Sequence, residues 1–384
     1  MRIAMVGTRG VPAAYGGFET AIEEVGRRLA DRGHDVRVYR RRVAEGAQPT
    51  EHLGMRLVTL PALRRRSLET LSHTGLSVLH LVAHRCDAAF VFNAANAPWL
   101  PVLRAARIPV ATHVDGLEWK RGKWGSGGRR YYRGAEVLAA RWSDALIADA
   151  QGIADYYAEE LGARTTLISY GAPVQEAPAG DRLAELDLEP EGYHLVVARF
   201  EPENHVQMIV EGYAASGSRL PLVVVGSAPY ADAYTRAVHA AAGGRPVRFL
   251  GGVWEPELLD QLYANAATYL HGHSVGGTNP SLLRAIGAGT ATVAYDVGFN
   301  REVLREHGRY FADAAGVARE IEAAEADSAG VRERGAALLQ RARDYDWDEV
   351  ADAYEALARS LVSRSTDGTQ RVRRRAPGTT TETT

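Results

Sequence analysis

Short apolar runs alternate with longer amphipathic stretches along most of the chain, the rhythm of strand and helix units that build a parallel sheet between two helical layers. In the first half the runs predict strands at 2–7, 35–40, 56–60, 88–93, 109–115, 145–149 and 166–170. Helices fit between them at 18–32, 68–84, 98–107, 128–143 and 151–161. A stretch rich in Pro, Gly and Glu, 171–192, then breaks the rhythm and reads as a linker.

A second series follows, with strands at 194–199, 220–225, 247–250, 268–271 and 292–295 and helices at 207–216, 231–242, 255–265, 281–288 and 301–306. A last helix is predicted near 349–362, and the polar segment after it, with its Arg cluster and run of threonines, reads as disordered. The pattern predicts an α/β chain of two Rossmann-like domains, 1–175 and 176–345, then a helical segment 346–363 and a tail 364–384. No repeat of short period is present, although two such halves are themselves a loose duplication.

Bulk composition narrows this picture only a little. Of the 384 residues 46% are apolar, enough for two sizeable cores, and a single cysteine, Cys86, has nothing in the chain to pair with. The N-terminus enters a strand without a leader-like apolar segment, and no long uncharged apolar run follows, so a cytoplasmic protein is expected. The net charge of -2 hides an asymmetry, because residues 1–175 carry 24 Lys+Arg against 17 Asp+Glu and the remainder 21 against 30. Arg40-Arg41-Arg42, Arg64-Arg65-Arg66 and the stretch 120–133 concentrate that surplus, which suits a solvated surface or peripheral contact with an anionic membrane. Nucleic acid is not expected, since no helix-turn-helix, zinc-ligand spacing or aromatic RNA-binding motif accompanies the charge.

Ligands of α/β sheets bind beyond the carboxyl ends of the strands, which makes the strand ends the first place to look for chemistry. The first strand delivers Gly7-Thr8-Arg9-Gly10, and Tyr15-Gly16-Gly17-Phe18-Glu19 opens the first helix. Glycine there permits close backbone approach, and the helix start offers unpaired N–H groups to an anion. The spacing matches neither the dinucleotide fingerprint nor a P-loop. Asn93 and Asn96 follow the fourth strand, and His113-Val114-Asp115-Gly116-Leu117-Glu118-Trp119-Lys120-Arg121 follows the fifth. An imidazole, two carboxylates, two cations and an indole at one strand end are costly to desolvate unless they meet a polar ligand, so this cluster is the candidate acceptor side.

In the second domain Arg199 leads into Glu201-Pro202-Glu203-Asn204, and His271-Gly272-His273 leads into Gly276-Gly277-Thr278-Asn279-Pro280-Ser281 at the start of a helix. A double glycine, small polar side chains and a proline in the first helical turn form a ready cradle for a diphosphate from N–H groups and hydroxyls. No metal is expected, since two histidines at i, i+2 lack a third ligand nearby in sequence. Asp344-x-Asp346-x-Asp348 stands before the terminal helix, where capping is the expected role.

Together these motifs resemble a retaining glycosyltransferase of the GT-B fold in family GT4, in its rhamnosyltransferase-type branch with a DUF1972 N-terminal domain. The resemblance also takes in Phe299-Asn300-Arg301-Glu302-Val303. It implies an N-terminal acceptor domain, a C-terminal nucleotide-sugar domain, a cleft between them and a last helix that crosses back to the first domain. It further implies metal-independent transfer with retained anomeric configuration. The donor it favours is dTDP-L-rhamnose, with UDP- or GDP-sugars next, and the acceptor it implies is a lipid-linked or growing cell-surface saccharide.

Two positions depart from the family's usual donor site, which has Arg-x4-Lys and two glutamates eight apart. Asn204 stands where the lysine is expected after Arg199, and Arg284 stands at the second glutamate, while the first falls near Ser274 to Gly276. A guanidinium at 284 adds a cation that could pair with phosphate in place of the lysine. The resulting expectation places the diphosphate among Gly10, Gly16, Gly17, Arg199, Asn204, Gly276, Gly277, Thr278, Asn279, Ser281 and Arg284. His113, Asp115 and Glu118 position the reacting groups, and Asn93, Asn96, Trp119, Lys120 and Arg121 line the acceptor side.

A GT-B epimerase and a non-catalytic sugar-binding relative are the alternatives; a pyridoxal-phosphate phosphorylase is disfavoured, because Lys120 and Lys123 are the only lysines. Asp115→Asn is expected to lower turnover far more than donor binding, and wild-type turnover in that variant would remove Asp115 from the mechanism.

Overall fold

The computed structural model describes residues 1–13, 16–42, 48–63, 68–114, 116–122, 124–175, 180–227 and 232–375, with backbone only at 232 and 365–375. Asp115, Tyr15, Lys123 and Arg64-Arg65-Arg66, all singled out above, lie outside the described residues, as do 376–384.

The first domain holds strands β1 (Arg2–Val6), β2 (Asp35–Arg41), β3 (Glu51–His52), β4 (Met55–Leu60), β5 (Ala88–Phe92), β6 (Val110–His113), β7 (Ala145–Ala148) and β8 (Thr166–Leu167). They form one sheet in the order β3-β4-β2-β1-β5-β6-β7-β8, parallel except where β3 turns back on β4. Helices α1 (Gly17–Asp31), α2 (Glu69–His84), α3 (Leu100–Ala105), α4 (Ser126–Trp142) and α5 (Gln151–Leu161) provide the crossovers. Helices on both faces require strands that are apolar throughout, and β5, Ala-Ala-Phe-Val-Phe, is buried at every position.

The second domain repeats the scheme with β9 (His194–Val197), β10 (Leu222–Val225), β11 (Val247–Gly251), β12 (Thr268–His271), β13 (Thr292–Tyr295) and β14 (Arg309–Phe311), in the order β11-β10-β9-β12-β13-β14. Its helices are α6 (Val206–Ala215), α7 (Asp232–Ala241), α8 (Pro256–Ala264), α9 (Pro280–Gly287), α10 (Gly298–Leu304), α11 (Ala314–Ala326) and α12 (Ser328–Ala342). The sequence pattern missed β3 and β14, which are too short for a clear period, and left α11 and α12 unassigned.

Strand order reverses between β1 and β5 in the first sheet and between β9 and β12 in the second, and a doubly wound sheet opens a crevice where its order reverses. The glycine loop after β1 and Asn93 to Asn96 after β5 border one crevice. Arg199 after β9 and the turn after β12 border the other. Topology thus places four of the motifs at two facing switch points.

The last helix, α13, runs Trp347–Arg375, past the predicted end at 362, so the first part of the segment read as a disordered tail is helical. Asp346 caps it, its Oδ1 accepting the Asp348 N–H at 2.5 Å. The helix lies on α1 of the first domain, where Arg28 pairs with Asp348 at 2.6 Å and Arg32 with Asp352 at 2.7 Å. Its apolar side enters the core: the Tyr354 ring packs edge-on against Phe90 at 5.0 Å, and Trp347 is buried. The linker is anchored to the same helix start, since the Ala172 N–H donates to the Tyr345 carbonyl at 2.7 Å.

Gly171 faces the Trp347 indole so closely that a Cβ would overlap the ring. Gly171→Ala is expected to destabilise the fold by about 1–3 kcal/mol through overpacking, read as a lower denaturation midpoint with an unchanged slope.

Candidate functional site

The turn after β12 does not stand free in a cleft; it is pressed against the first domain at several points. Gly116 leaves no room for a Cβ because the backbone of Gly276 occupies that space, and Gly277 leaves none because the Asp149 carboxylate does. The Thr278 hydroxyl donates to the Asp149 carbonyl at 2.8 Å. Gly17, at the start of α1, faces the Pro280 ring, which a Cβ would approach to 2.9 Å. Gly276, Gly277 and Thr278 are buried in consequence. Gly276 has a φ of +147°, a conformation that side chains rarely adopt, so glycine is needed here for backbone as well as for space.

Helix α9 begins at the end of this turn. The Asn279 side chain accepts the Ser281 N–H at 2.9 Å and caps it, with Pro280 in the first turn. A proline at this place removes one N–H that would have no helical partner, and the remaining N–H groups and the helix dipole favour an anion. Gly16 caps α1 on the other side of the contact. Gly10, with φ +91°, lies against Arg40 at the end of β2.

Cations from both domains stand around the turn. Arg121 bonds Glu118 at 2.7 Å and reaches Glu201 at 3.8 Å and Glu203 at 4.0 Å across the domain boundary. Arg199 is half exposed and lies 3.6 Å from Glu201. Burial holds the His273 imidazole well below its usual pKa, and the nearby His271, Arg121, Arg199 and His205 push it the same way. A histidine amid cations gains nothing from taking a proton, so His273 remains a neutral hydrogen-bonding group. Glu302, on α10, completes the boundary by accepting the Gln151 N–H at the start of α5 with both oxygens at 3.1 Å.

Several predicted site residues are engaged in holding this geometry. Asn204 donates to the Arg199 carbonyl at 2.8 Å and bonds His273 Nδ1 at 2.8 Å, so its amide joins the ends of β9 and β12. Arg284 donates to Asp260 at 2.6 Å and to the Pro256 carbonyl at 3.2 Å on α8, and any pairing with phosphate requires these bonds to be exchanged. Asn96 donates to the carbonyls of Gly7 and Phe92 and ties β5 to the glycine loop, while Asn93 caps the short turn behind it by accepting the Ala95 N–H. Trp119 carries the Arg133 guanidinium 4.5 Å and the Lys120 ammonium 5.4 Å from its ring centre. Glu118 is buried beside Arg121 and takes the Trp124 indole N–H at 3.3 Å.

His113 lies within an aromatic enclosure of Phe18, Phe92, Tyr170 and Tyr354 and is 1% exposed. Its Nδ1 is 2.8 Å from the Tyr354 hydroxyl of α13, and its Nε2 has no partner among the described residues. Burial lowers its pKa to about 3. The imidazole therefore stays neutral, and no proton-carrying role follows from its surroundings.

Asp149, which meets the turn through its carbonyl and its carboxylate, carries no local signal in the sequence. The predicted strand 145–149 ended on it, a polar residue at a strand end, but its neighbours Ala148 and Ala150 offered no cluster to draw attention to it. His271 and His273, considered as metal ligands, bond Tyr269 and Asn204 instead, and no group of three possible metal-binding side chains occurs among the described residues.

Buried neutral histidines make stability depend on pH. His113 and His271 titrate near 3 in the fold against 6.5 when exposed, so the unfolded chain binds more protons below 6.5. Their contribution is present above pH 6.5 and is lost as pH falls toward 3, by up to about 1.4 kcal/mol per unit for each ring. Urea denaturation at pH 7 and pH 5 is expected to show this loss, and His113→Asn is expected to reduce it.

The arrangement has counterparts among known proteins. Residues 16–171 match the family described as glycosyl transferase 4-like domain, and residues 184–342 match glycosyl transferases group 1. No curated protein matches the chain in sequence. Sucrose-phosphate synthase from Thermosynechococcus elongatus is similar in structure with a TM-score of 0.82 and 20% identity, over 94% of this chain and 99% of its own. Anabaena HepE in complex with UDP-glucose superposes with a TM-score of 0.75 and 18% identity, over 93% and 99%. The E. coli trehalose-6-phosphate protein bound with UDP-2-fluoro glucose gives 0.71 and 13%, also over 93% and 99%. With the two family matches in this order on two facing Rossmann-like sheets, the chain is a glycosyltransferase of the GT-B fold.

Proposed function

We propose that this glycosyltransferase moves a hexosyl group from a nucleotide-diphosphate sugar to a saccharide acceptor with retention of anomeric configuration and without a metal. The observation that carries the reading is the buried glycine turn Gly276 to Ser281, which aims the start of α9 at the domain boundary and has Arg121 and Arg199 nearby. In this reading its N–H groups and Arg199 hold the diphosphate. The bond from the anomeric carbon to the diphosphate oxygen breaks, the acceptor oxygen bonds to the same face, and the diphosphate takes the acceptor proton. Stabilising the leaving diphosphate then matters more than a protein base. The close approach of the two domains at the turn supports a reaction shielded from water, reached when an open form binds its donor.

The family resemblance keeps dTDP-L-rhamnose as the favoured donor. HepE and the E. coli protein were solved with UDP-sugars, which supports UDP-glucose as a second candidate. The acceptor is assigned to the first domain as a lipid-linked or cell-surface saccharide. Exposed Leu76 and Leu79 on α2, with Leu63 and Leu68 before it, support peripheral contact with an anionic membrane on the basic half of the chain. No helix among the described residues is long and apolar enough to cross a membrane.

Thermal denaturation with a panel of nucleotide sugars tests the donor class: a ligand at 100 times its Kd adds about 2.7 kcal/mol to the folded state. The true donor is expected to raise Tm, to lose at least about 10-fold in affinity in Arg199→Ala, and to support transfer that survives EDTA. Epimerised free nucleotide sugar formed without acceptor would instead establish an epimerase, and loss of activity in EDTA would overturn the metal-independent reading.

A further inference from the structure

We infer that the second domain binds hydrogen phosphate, or a small oxyanion that like it still carries a proton, in a cavity at the amino ends of β12, β13 and β14. The cavity has a volume of about 160 Å³ and lies between these strand ends and the corner where α11 passes into α12. Thr268, Thr292 and Arg309 are the first residues of the three strands, Glu320 comes from α11, Asp327 from the corner and Arg334 from α12. Arg309 and Asp327 are exposed and Arg334 and Glu320 half-buried, so the cavity is open to solvent. Liquid water occupies about 30 Å³ per molecule, and an apolar cavity of about 150 Å³ holds benzene, so the space admits a compact ligand. It is separate from the glycine turn, because β12 runs from Thr268 at the cavity to His271, which leads into the turn, over roughly 10 Å of strand. The site is therefore independent of the donor reading.

The charged walls of the cavity are what set it apart. The guanidiniums of Arg309 and Arg334 make no hydrogen bond or ion pair among the described residues, and neither does the Glu320 carboxylate. Elsewhere in the chain arginines close onto nearby carboxylates, as Arg182 does on Glu185 at 2.9 Å and Arg301 on Asp296 at 2.5 Å. Here charges of both signs line one small space and stay apart. Asp327 has a separate task, its Oδ1 accepting the Gly330 N–H at 2.9 Å to cap α12. The Thr268 hydroxyl is 2.7 Å from His194 Nδ1, and the Thr292 hydroxyl donates to the Thr290 carbonyl at 3.0 Å. Two guanidiniums remain to donate, and one carboxylate, that of Glu320, remains to accept.

That set suits a ligand with both functions. An oxyanion presents acceptor oxygens to the two guanidinium forks. Glu320 repels an oxyanion that has lost all its protons, but accepts a hydrogen bond from a P–OH group. Hydrogen phosphate meets both conditions, whereas sulfate, which carries no proton near neutral pH, meets only the first. The mixed charge is thus a means of selection: a site that bonds a ligand proton rejects the analogue lacking it, because its own acceptor is then left facing an anion. A bound phosphate would also link β14 and α12 through their arginines to α11 through Glu320.

Calorimetric titration of the full chain with inorganic phosphate and with sulfate, in a buffer free of both, tests the site without any variant. Phosphate is expected to bind with a Kd of about 1 mM or tighter, and sulfate at least about 10-fold more weakly. Arg309→Gln combined with Arg334→Gln is expected to weaken phosphate by at least about 10-fold, and Arg199→Ala, at the donor turn, by less than about 2-fold. Glu320→Gln is expected to bring sulfate within about 3-fold of phosphate. If the paired variant does not fold, as judged by circular dichroism, Arg334→Gln alone is read in its place. Absence of phosphate binding, equal binding of sulfate, unchanged phosphate affinity in the arginine variants, or loss of phosphate in Arg199→Ala, which would place it at the donor turn, each overturns the inference.

Discussion

Backbone meets backbone at the domain boundary where Gly116 faces Gly276, and the rest of the site is arranged around that approach. Gly116 lies on Gly276, and Gly277 lies on Asp149. A methyl group at Gly116 or Gly277 would separate the strand ends that face one another. Glycine in these places costs conformational entropy on folding, and the return is close approach of two sheet edges whose ligand-binding crevices then coincide.

Helix α13 makes the approach possible from the far side. It starts beside the linker, lies along α1 and inserts Tyr354 between Phe90 and His113, so the second domain is tied to the first through a buried aromatic cluster as well as through the turn. The His113 hydrogen bond is therefore a contact between the end of the chain and the end of β6. Burial of that imidazole lowers its proton affinity, so at a strand end it presents a neutral ring to its surroundings.

The boundary gathers charges of both signs, with Arg121 beside Glu118, Glu201 and Glu203 and Arg199 beside Glu201. Arg121 and Arg199 approach from opposite domains, and the neighbouring His271 and His273 are kept neutral by burial and, for His273, also by those cations. Neutral histidines leave the positive charge of the boundary on the two guanidiniums. Asn204 contributes by joining Arg199 and His273, an organising part that differs from the direct phosphate contact implied by the family pattern.

Hydrophobic periodicity was sufficient to reveal the two α/β halves, because helices on both faces demand continuous apolar strands such as β5 and amphipathic crossovers such as α1. Local turn chemistry likewise made the start of α9 legible, since a double glycine followed by Asn-Pro states its own backbone requirements. Partners distant in sequence were not legible. Arg284 has no local feature that selects Asp260, His113 none that selects Tyr354, and Asp149 stood between alanines with nothing to connect it to Gly277. By itself the sequence determined the elements and the anion-seeking turn, which depend on neighbours a few residues apart; only the tertiary structure decided which carboxylate, cation and aromatic ring meet there, because those contacts arise from the packing of two domains and the returning helix.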